Sequence, residues 1–201
     1  MTHRTRTNGV GSVHTHRSPR GGGWVTTLVE RWPTWLAIAL AALTAGDPGP
    51  VGGLSEALLL FALGYLAAAV IRRRRATWLV AVVGVGALAA LRLQGWVEPW
   101  VAMIVAAFAF VLWGAARGQL WPPGDLMLET AGMAVFAVIA LAAVSVDPGL
   151  GLYVVAAGWA GHAAWDFAHL RADRVVSRSF AEWCGVFDLF GAVGILAVAM
   201  L

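Results

Sequence analysis

The stretch LSEALLLFALGYLAAAVIRRRR, residues 54–75, decides the fold class of this chain. Its first eighteen residues, 54–71, are almost entirely apolar, and four consecutive arginines follow them. A helix needs roughly 17–25 apolar residues to cross a bilayer. Arginines beside an apolar helix are typical of its cytoplasmic end. The stretch therefore predicts a transmembrane helix that ends at the cytoplasmic face.

The composition of the whole chain indicates the same class. Hydrophobic residues make up 60% of the 201 residues and charged residues only 12%, whereas a soluble domain is about half apolar and a quarter charged. All 14 basic residues are arginine, and the single cysteine, Cys184, excludes an intramolecular disulfide. Residues 1–23 contain no apolar run, so we expect a disordered, basic cytoplasmic tail, followed by a membrane domain over residues 24–201.

Seven apolar stretches, separated by glycine, proline and arginine, predict an all-α bundle of seven transmembrane helices. Their approximate ranges are 28–46, 54–71, 77–93, 98–115, 126–146, 150–169 and 183–201. With the N-terminus in the cytoplasm, thirteen arginines fall in inner segments and only Arg92 falls in an outer one. The positive-inside rule therefore predicts that the C-terminus lies outside, and the use of arginine without lysine, with much Ala, Gly and Val, predicts a bacterial inner-membrane protein.

Two halves of the chain show weak internal similarity. IALAALTAGDPG at 38–49 resembles IALAAVSVDPG at 139–149, and each is followed by a span and an arginine-rich loop. This pattern favours a 3+1+3 arrangement of parallel repeats around the fourth span. His162, Asp166 and His169 then correspond to Ala62, Leu66 and Ala69, so only the second half carries polar side chains at these positions.

The candidate functional residues lie in GHAAWDFAHLRAD, residues 161–173, at the inner end of the sixth span. Because a helix turns 100° per residue, His162, Asp166, His169 and Asp173 fall within roughly 60° of one another. Ionisable groups inside a membrane usually face the bundle interior and mark function. We expect Asp173 to lie farthest out, beside the nearby arginines.

Partners for this stripe enter the membrane from the same side. The seventh span carries Asp188 and the fifth carries Glu129, at similar depth. Histidine and carboxylate suit a divalent metal, with zinc expected first and iron or manganese as alternatives. Two ligand sets are open: His162, Asp166 and Asp188, or Asp166, His169 and Asp188. Either leaves a position for water, with Glu129 as a catalytic base or an additional ligand.

Other interpretations of these residues stay open. The polar stripe could pair with Arg171, Arg174 and Arg178 at the membrane surface without further function. It could also carry protons or a small solute in a transporter. Free cysteine usually packs as a small apolar residue, so we expect Cys184 to do the same.

The segment GHAAWD, residues 161–166, resembles the GHAxWH pattern of alkaline ceramidase-type membrane hydrolases. Those are seven-helix proteins in which histidines, with an aspartate and a serine, hold zinc. The resemblance implies that His162 and Asp166 are metal ligands and that a lipid amide is cleaved. The chain departs from that pattern because Asp166 replaces the second histidine and the motif does not lie on the last helix.

These observations predict a metal-dependent, hydrolase-like activity at a cytoplasm-facing site on the last three spans. Membrane lipid is the expected partner and an amphipathic or lipid molecule the expected substrate, with no nucleic-acid partner. The two alternatives are a proton-coupled or small-solute transporter and a membrane scaffold without chemistry.

Overall fold

The computed structural model describes residues 24–44 and 49–201, and these ranges contain helices but no strand. The tail predicted over residues 1–23 lies outside the described residues. The helices are α1 (Trp24–Glu30), α2 (Trp32–Thr44), α3 (Val51–Ile71), α4 (Thr77–Gln94), α5 (Pro99–Ala116), α6 (Asp125–Ser145), α7 (Pro148–Ala172) and α8 (Arg178–Ala199), with a 3₁₀ turn at Arg74–Ala76 before α4. The all-α class is thus confirmed.

Five of the described helices are long and apolar enough to cross a membrane, namely α3, α4 with its preceding turn, α5, α6 and α8. The helix α2 is apolar but shorter. The helix α7 has 25 residues, but it carries four glycines, two histidines and an aspartate, and it does not reach the same hydropathy. These helices fit an integral membrane protein.

The first predicted span is not one continuous helix. Residue Arg31 is a turn between α1 and α2, and Pro33 lies in the first turn of α2. Proline has no N–H to donate to the preceding turn, and its ring crowds the carbonyl four residues earlier, so a helix ends and a new one begins here. Contacts divide the chain at the same point, with one compact unit over Trp32–Leu201.

The helix α3 lies at the centre of that unit. It packs against α4, α5, α6 and α7, and more than half of its residues are buried, from Leu54 to Val70. By contrast, Thr77 is the sole buried residue of α4. An apolar helix with so few buried residues is stable when lipid covers its remaining surface.

The most extensive helix–helix contact joins α7 and α8. Glycines allow this approach: a Cβ atom on Gly185 would lie 3.1 Å from the Cβ atom of Asp166, and one on Gly191 would lie 2.6 Å from the Trp159 ring. Small residues at such positions let membrane helices pack closely. The polar side chains of α7 therefore face α8 at short range.

The turn between α7 and α8 is fixed to the turn between α3 and α4. Arg74 forms an ion pair with Asp173 and donates a hydrogen bond to the carbonyl oxygen of Val176. The Ser177 N–H donates to the Thr77 hydroxyl at 3.3 Å. In the same turn Asp173 and Val175 have φ angles of 51° and 64°. The second value is unusual for a β-branched residue, so contacts around this turn hold its shape.

Candidate metal centre

The helix α7 places two polar side chains in the core. Its start is defined by Asp147, whose carboxylate accepts hydrogen bonds from the Gly149 and Leu150 N–H groups, which is the usual role of an N-cap aspartate. Four turns later come His162 and Asp166, both with 0% exposed surface. Because they are four residues apart, their side chains lie on one face of the helix.

The helix α8 brings a matching pair to the same place. Cys184 and Asp188 are also four residues apart and have 0% exposed surface. The Nδ1 atom of His162 lies 2.7 Å from Oδ2 of Asp188 and 3.2 Å from Oδ2 of Asp166. One imidazole nitrogen therefore faces two carboxylates from two helices.

One potential ligand atom from each of these four residues lies within 4.8 Å of the other three. We call His162, Asp166, Cys184 and Asp188 the α7–α8 cluster. Several of its polar atoms have no hydrogen-bond partner, including Nε2 of His162, Oδ1 of Asp166 and Oδ1 of Asp188. Buried polar atoms are nearly always paired, so the cluster has the capacity to bind something more.

The charge of the cluster is also unbalanced. It holds two carboxylates and one imidazole, and every residue that is both buried and polar in the described ranges is Ser, Thr, Glu, His or Asp. No arginine thus reaches the cluster there. A buried charge needs a partner of opposite sign, and a divalent cation supplies one.

An aromatic layer surrounds the histidine of the cluster. The ring centroids of Phe136, Tyr65 and Phe61 lie 4.8, 5.6 and 6.0 Å from that of His162. Tyr65 comes from α3, and its buried hydroxyl interacts with Asp166. The three rings pack against the imidazole and restrict its orientation.

A second buried polar pair lies between α6 and α7. The Nε2 atom of His169 is 2.7 Å from Oε1 of Glu129, and the Trp165 indole donates to Oε2 of Glu129 at 3.2 Å. The Nδ1 atom of His169 faces the Trp165 carbonyl oxygen at 2.9 Å. Tyr65 packs between the two histidines, since its ring centroid is 5.1 Å from that of His169. Glu129 and His169 thus have mutual partners beside the α7–α8 cluster.

Ion pairs connect the helices at the arginine-rich end. Hydrogen bonding from Arg74 lowers the pKa of Asp173 below its usual value. Arg174 pairs with Asp125 at the start of α6, and this hydrogen bond raises the pKa of Arg174. Asp173 therefore lies among arginines, as its place at the end of the stripe predicts, whereas Asp166 does not.

The structure brings His162, Asp166 and Asp188 together, which is one of the two ligand sets that the sequence indicates. His169 instead pairs with Glu129. Sequence reasoning gave Cys184 a packing role and did not single out Tyr65. A signal for the cysteine was present, because Cys184 and Asp188 repeat the four-residue spacing of His162 and Asp166. Tyr65 lies about a hundred residues away in sequence, and no pattern connects it to the site.

No protein-family model, curated protein or solved structure shows a significant match to this chain. The functional argument therefore rests on the side chains and their geometry.

Proposed function

We propose that the chain is an integral membrane protein that binds one divalent metal ion in the α7–α8 cluster and uses it to hydrolyse an amphipathic or lipid substrate. The observation that carries the metal proposal is the convergence of four ligand atoms within 4.8 Å at a place where two buried carboxylates share a single imidazole. The hydrolytic activity is inferred from the chemistry that a metal ion held by these ligands would supply.

The donor set favours zinc. Ligand atoms about 2.0–2.3 Å from one tetrahedral zinc ion lie roughly 3.3–3.7 Å apart. The His162–Asp166 distance of 3.2 Å is close to that range, whereas the His162–Asp188 distance of 2.7 Å is that of a hydrogen bond and would lengthen on metal binding. Imidazole and carboxylate ligands suit zinc, whereas manganese prefers oxygen ligands. Iron is the second candidate, since imidazole and carboxylate also hold it.

Hydrolysis requires a coordination position for water. If Asp166, Asp188 and His162 are the ligands, the fourth position is open, as in catalytic zinc sites. Zinc lowers the pKa of a bound water to near 7, which supplies a nucleophile at neutral pH. Glu129 is the proposed base. Its carboxylate is held by hydrogen bonds to His169 and Trp165 of α7.

Metal analysis of purified protein tests the proposal. The wild type, His162→Ala and Asp166→Ala are purified in detergent without chelator after growth with added zinc, and bound metal is measured by mass spectrometry. We expect one zinc per chain in the wild type and loss of it in both variants. His169→Ala is the matched control on the same helix, and it should keep the metal.

Each other outcome has a defined meaning. Metal-free wild type would overturn the proposal and leave a transporter or scaffold as the remaining classes. Loss of zinc in His169→Ala with retention in His162→Ala would move the site to Asp166, His169 and Asp188. Stoichiometric zinc without hydrolysis of lipid amides or esters would retain the metal site and reject the enzyme.

The proposed topology has seven spans in a bacterial inner membrane, with a cytoplasmic N-terminus, an external C-terminus and a 3+1+3 repeat. In support, the arginine-bearing turns after α3 and α7 lie at one end and contact each other through Arg74 and Asp173. Alkaline phosphatase fused after Leu201 should be active, whereas green fluorescent protein fused at the same position should not fluoresce. The opposite result would reverse the orientation.

A further inference from the structure

An apolar cavity lies between α3, α4 and α5, and two residues of α8, Phe180 and Trp183, complete its wall near the α7–α8 cluster. It encloses about 420 Å³, which is within the usual 300–1,000 Å³ of ligand sites. Its walls include Leu60 and Ile71 of α3, Leu79 of α4 and Phe110 of α5. Apart from the indole N–H of Trp183, the lining is apolar, so a hydrocarbon chain or a similar apolar group suits the cavity best.

The length of the cavity matches one leaflet of a bilayer. Along α3 it extends from Leu60 to Ile71, which is eleven residues or about 16 Å at 1.5 Å per residue. Half of a hydrocarbon core that is about 30 Å thick is roughly 15 Å. A single acyl chain that enters at the Ile71 end would therefore reach the middle of the membrane.

The Ile71 end of the cavity carries positive charge. Arg72 directly follows α3, and Arg73 and Arg75 lie in the turn that leads to α4. All three are exposed. Among the described residues Arg74 is the member of this run that has an acidic partner, Asp173. Arg72 lines a separate pocket beside Gly118 and Asp125, so Arg73 and Arg75 are the arginines available near the Ile71 end, which is the charge distribution that an anionic lipid requires.

We propose that this cavity and the adjoining arginines form a binding site for one anionic phospholipid. One acyl chain lies between α3, α4 and α5, and the phosphate of the headgroup contacts the arginine turn. The site depends on the chain lying in a membrane, but it does not depend on the metal centre.

Two glycines allow a matched test of the cavity. A Cβ atom built on Gly64, which lines the cavity, meets nothing within 4 Å, and the same holds for Gly86 of α4, which does not line it. Leucine at either position is therefore accommodated by the helix. The Gly64→Leu side chain fills the cavity, whereas the Gly86→Leu side chain points into open space.

The experiment is native mass spectrometry of delipidated protein titrated with phosphatidylglycerol or phosphatidylcholine of identical acyl chains. We expect one phosphatidylglycerol per wild-type chain at concentrations where phosphatidylcholine does not bind. Gly64→Leu should lose this binding and Gly86→Leu should retain it. Arg73→Gln and Arg75→Gln should each weaken phosphatidylglycerol binding about fivefold, the equivalent of roughly 1 kcal/mol per charge. Arg171→Gln should leave the binding unchanged.

Three results would overturn the lipid site. The first is equal binding of the two lipids, the second is an equal effect of the two leucine variants, and the third is an equal effect of all three arginine variants. Each of them would indicate that the bound lipid belongs only to the annulus around the protein. Zinc content is measured in the same samples. Because Gly64→Leu should keep its metal, failure of the lipid proposal and failure of the metal proposal are distinguishable.

Discussion

Nδ1 of His162 and Oδ2 of Asp188 lie 2.7 Å apart across the contact between α7 and α8. The two residues are 26 positions apart in the chain, and both are fully buried. Their contact explains why α7 tolerates a histidine and an aspartate in an otherwise apolar region, because α8 supplies an acid and a thiol at the same depth.

Cobalt substitution tests whether Cys184 is a metal ligand. In the proposed hydrolase His162, Asp166 and Asp188 hold the metal and the fourth position is left for water, so the wild type with Co²⁺ in place of the native ion should lack an intense near-ultraviolet thiolate-to-metal absorption. Cys184→Ser should bind the same amount of cobalt and give the same spectrum. An intense absorption in the wild type that is lost in Cys184→Ser would make Cys184 a fourth protein ligand, since its thiol lies within 4.8 Å of the other ligand atoms, and would reject the open position that hydrolysis needs.

Glu129→Ala should destabilise the protein without removing the metal. The change leaves the His169 and Trp165 nitrogen atoms without their carboxylate partner, and an unpaired buried donor costs about 1–3 kcal/mol. Thermal unfolding in detergent measures the loss. Asp125→Ala is the control, since its pair with Arg174 is about half exposed and such pairs contribute about 0–1 kcal/mol. Equal effects of the two changes would argue against a buried pair at Glu129.

Gly151→Ala should also destabilise the protein. A Cβ atom there would lie 2.5 Å from the Ala143 carbonyl oxygen, a backbone atom of α6 that cannot turn away. Overpacking of this kind costs about 1–3 kcal/mol. Gly161→Ala on the same helix meets only a Phe136 ring atom at 3.8 Å and should be neutral or slightly stabilising. The thermal unfolding midpoints of the two variants, measured side by side, test this prediction. A neutral Gly151→Ala would show that α6 and α7 can separate freely.

The Asp173–Arg74 pair predicts a small dependence of stability on pH. Because the pKa of Asp173 is lowered in the folded protein, its contribution is present above the unfolded value of about 3.9 and is lost as pH falls through the folded value. Asp173→Asn should therefore lower the unfolding midpoint slightly at pH 5–7, and the difference should shrink as pH falls below about 4 and vanish only below the lowered pKa of Asp173. A difference that is constant from pH 3 to 7 would assign the effect to something other than this charge.

Much of the fold follows from the sequence because hydropathy acts locally. Apolar stretches bounded by glycine, proline and arginine predict most helix positions to within a few residues, and helical spacing alone predicts that His162 and Asp166 share a face. Local patterns do not show which helix each helix face will pack against. The pairing of Glu129 with His169, and the insertion of Tyr65 between two histidines, depend on how α3, α6 and α7 pack. The break at Arg31 was also missed, although Pro33 gave a local reason for it.

The polar residues of α7 affect how this helix enters the membrane during biosynthesis. Until α8 is present, His162 and Asp166 would lack the Asp188 and Cys184 side chains beside them, and each ionisable group at the centre of a span opposes insertion by about 2.5–3.5 kcal/mol. The tight turn at residues 173–177 makes a hairpin of the two helices, and the contact between His162 and Asp188 forms inside it. We therefore expect α7 and α8 to partition into the bilayer as one unit during translation. In that case the polar residues assemble before either helix meets the lipid, and ribosomes stalled before α8 should leave α7 outside the membrane.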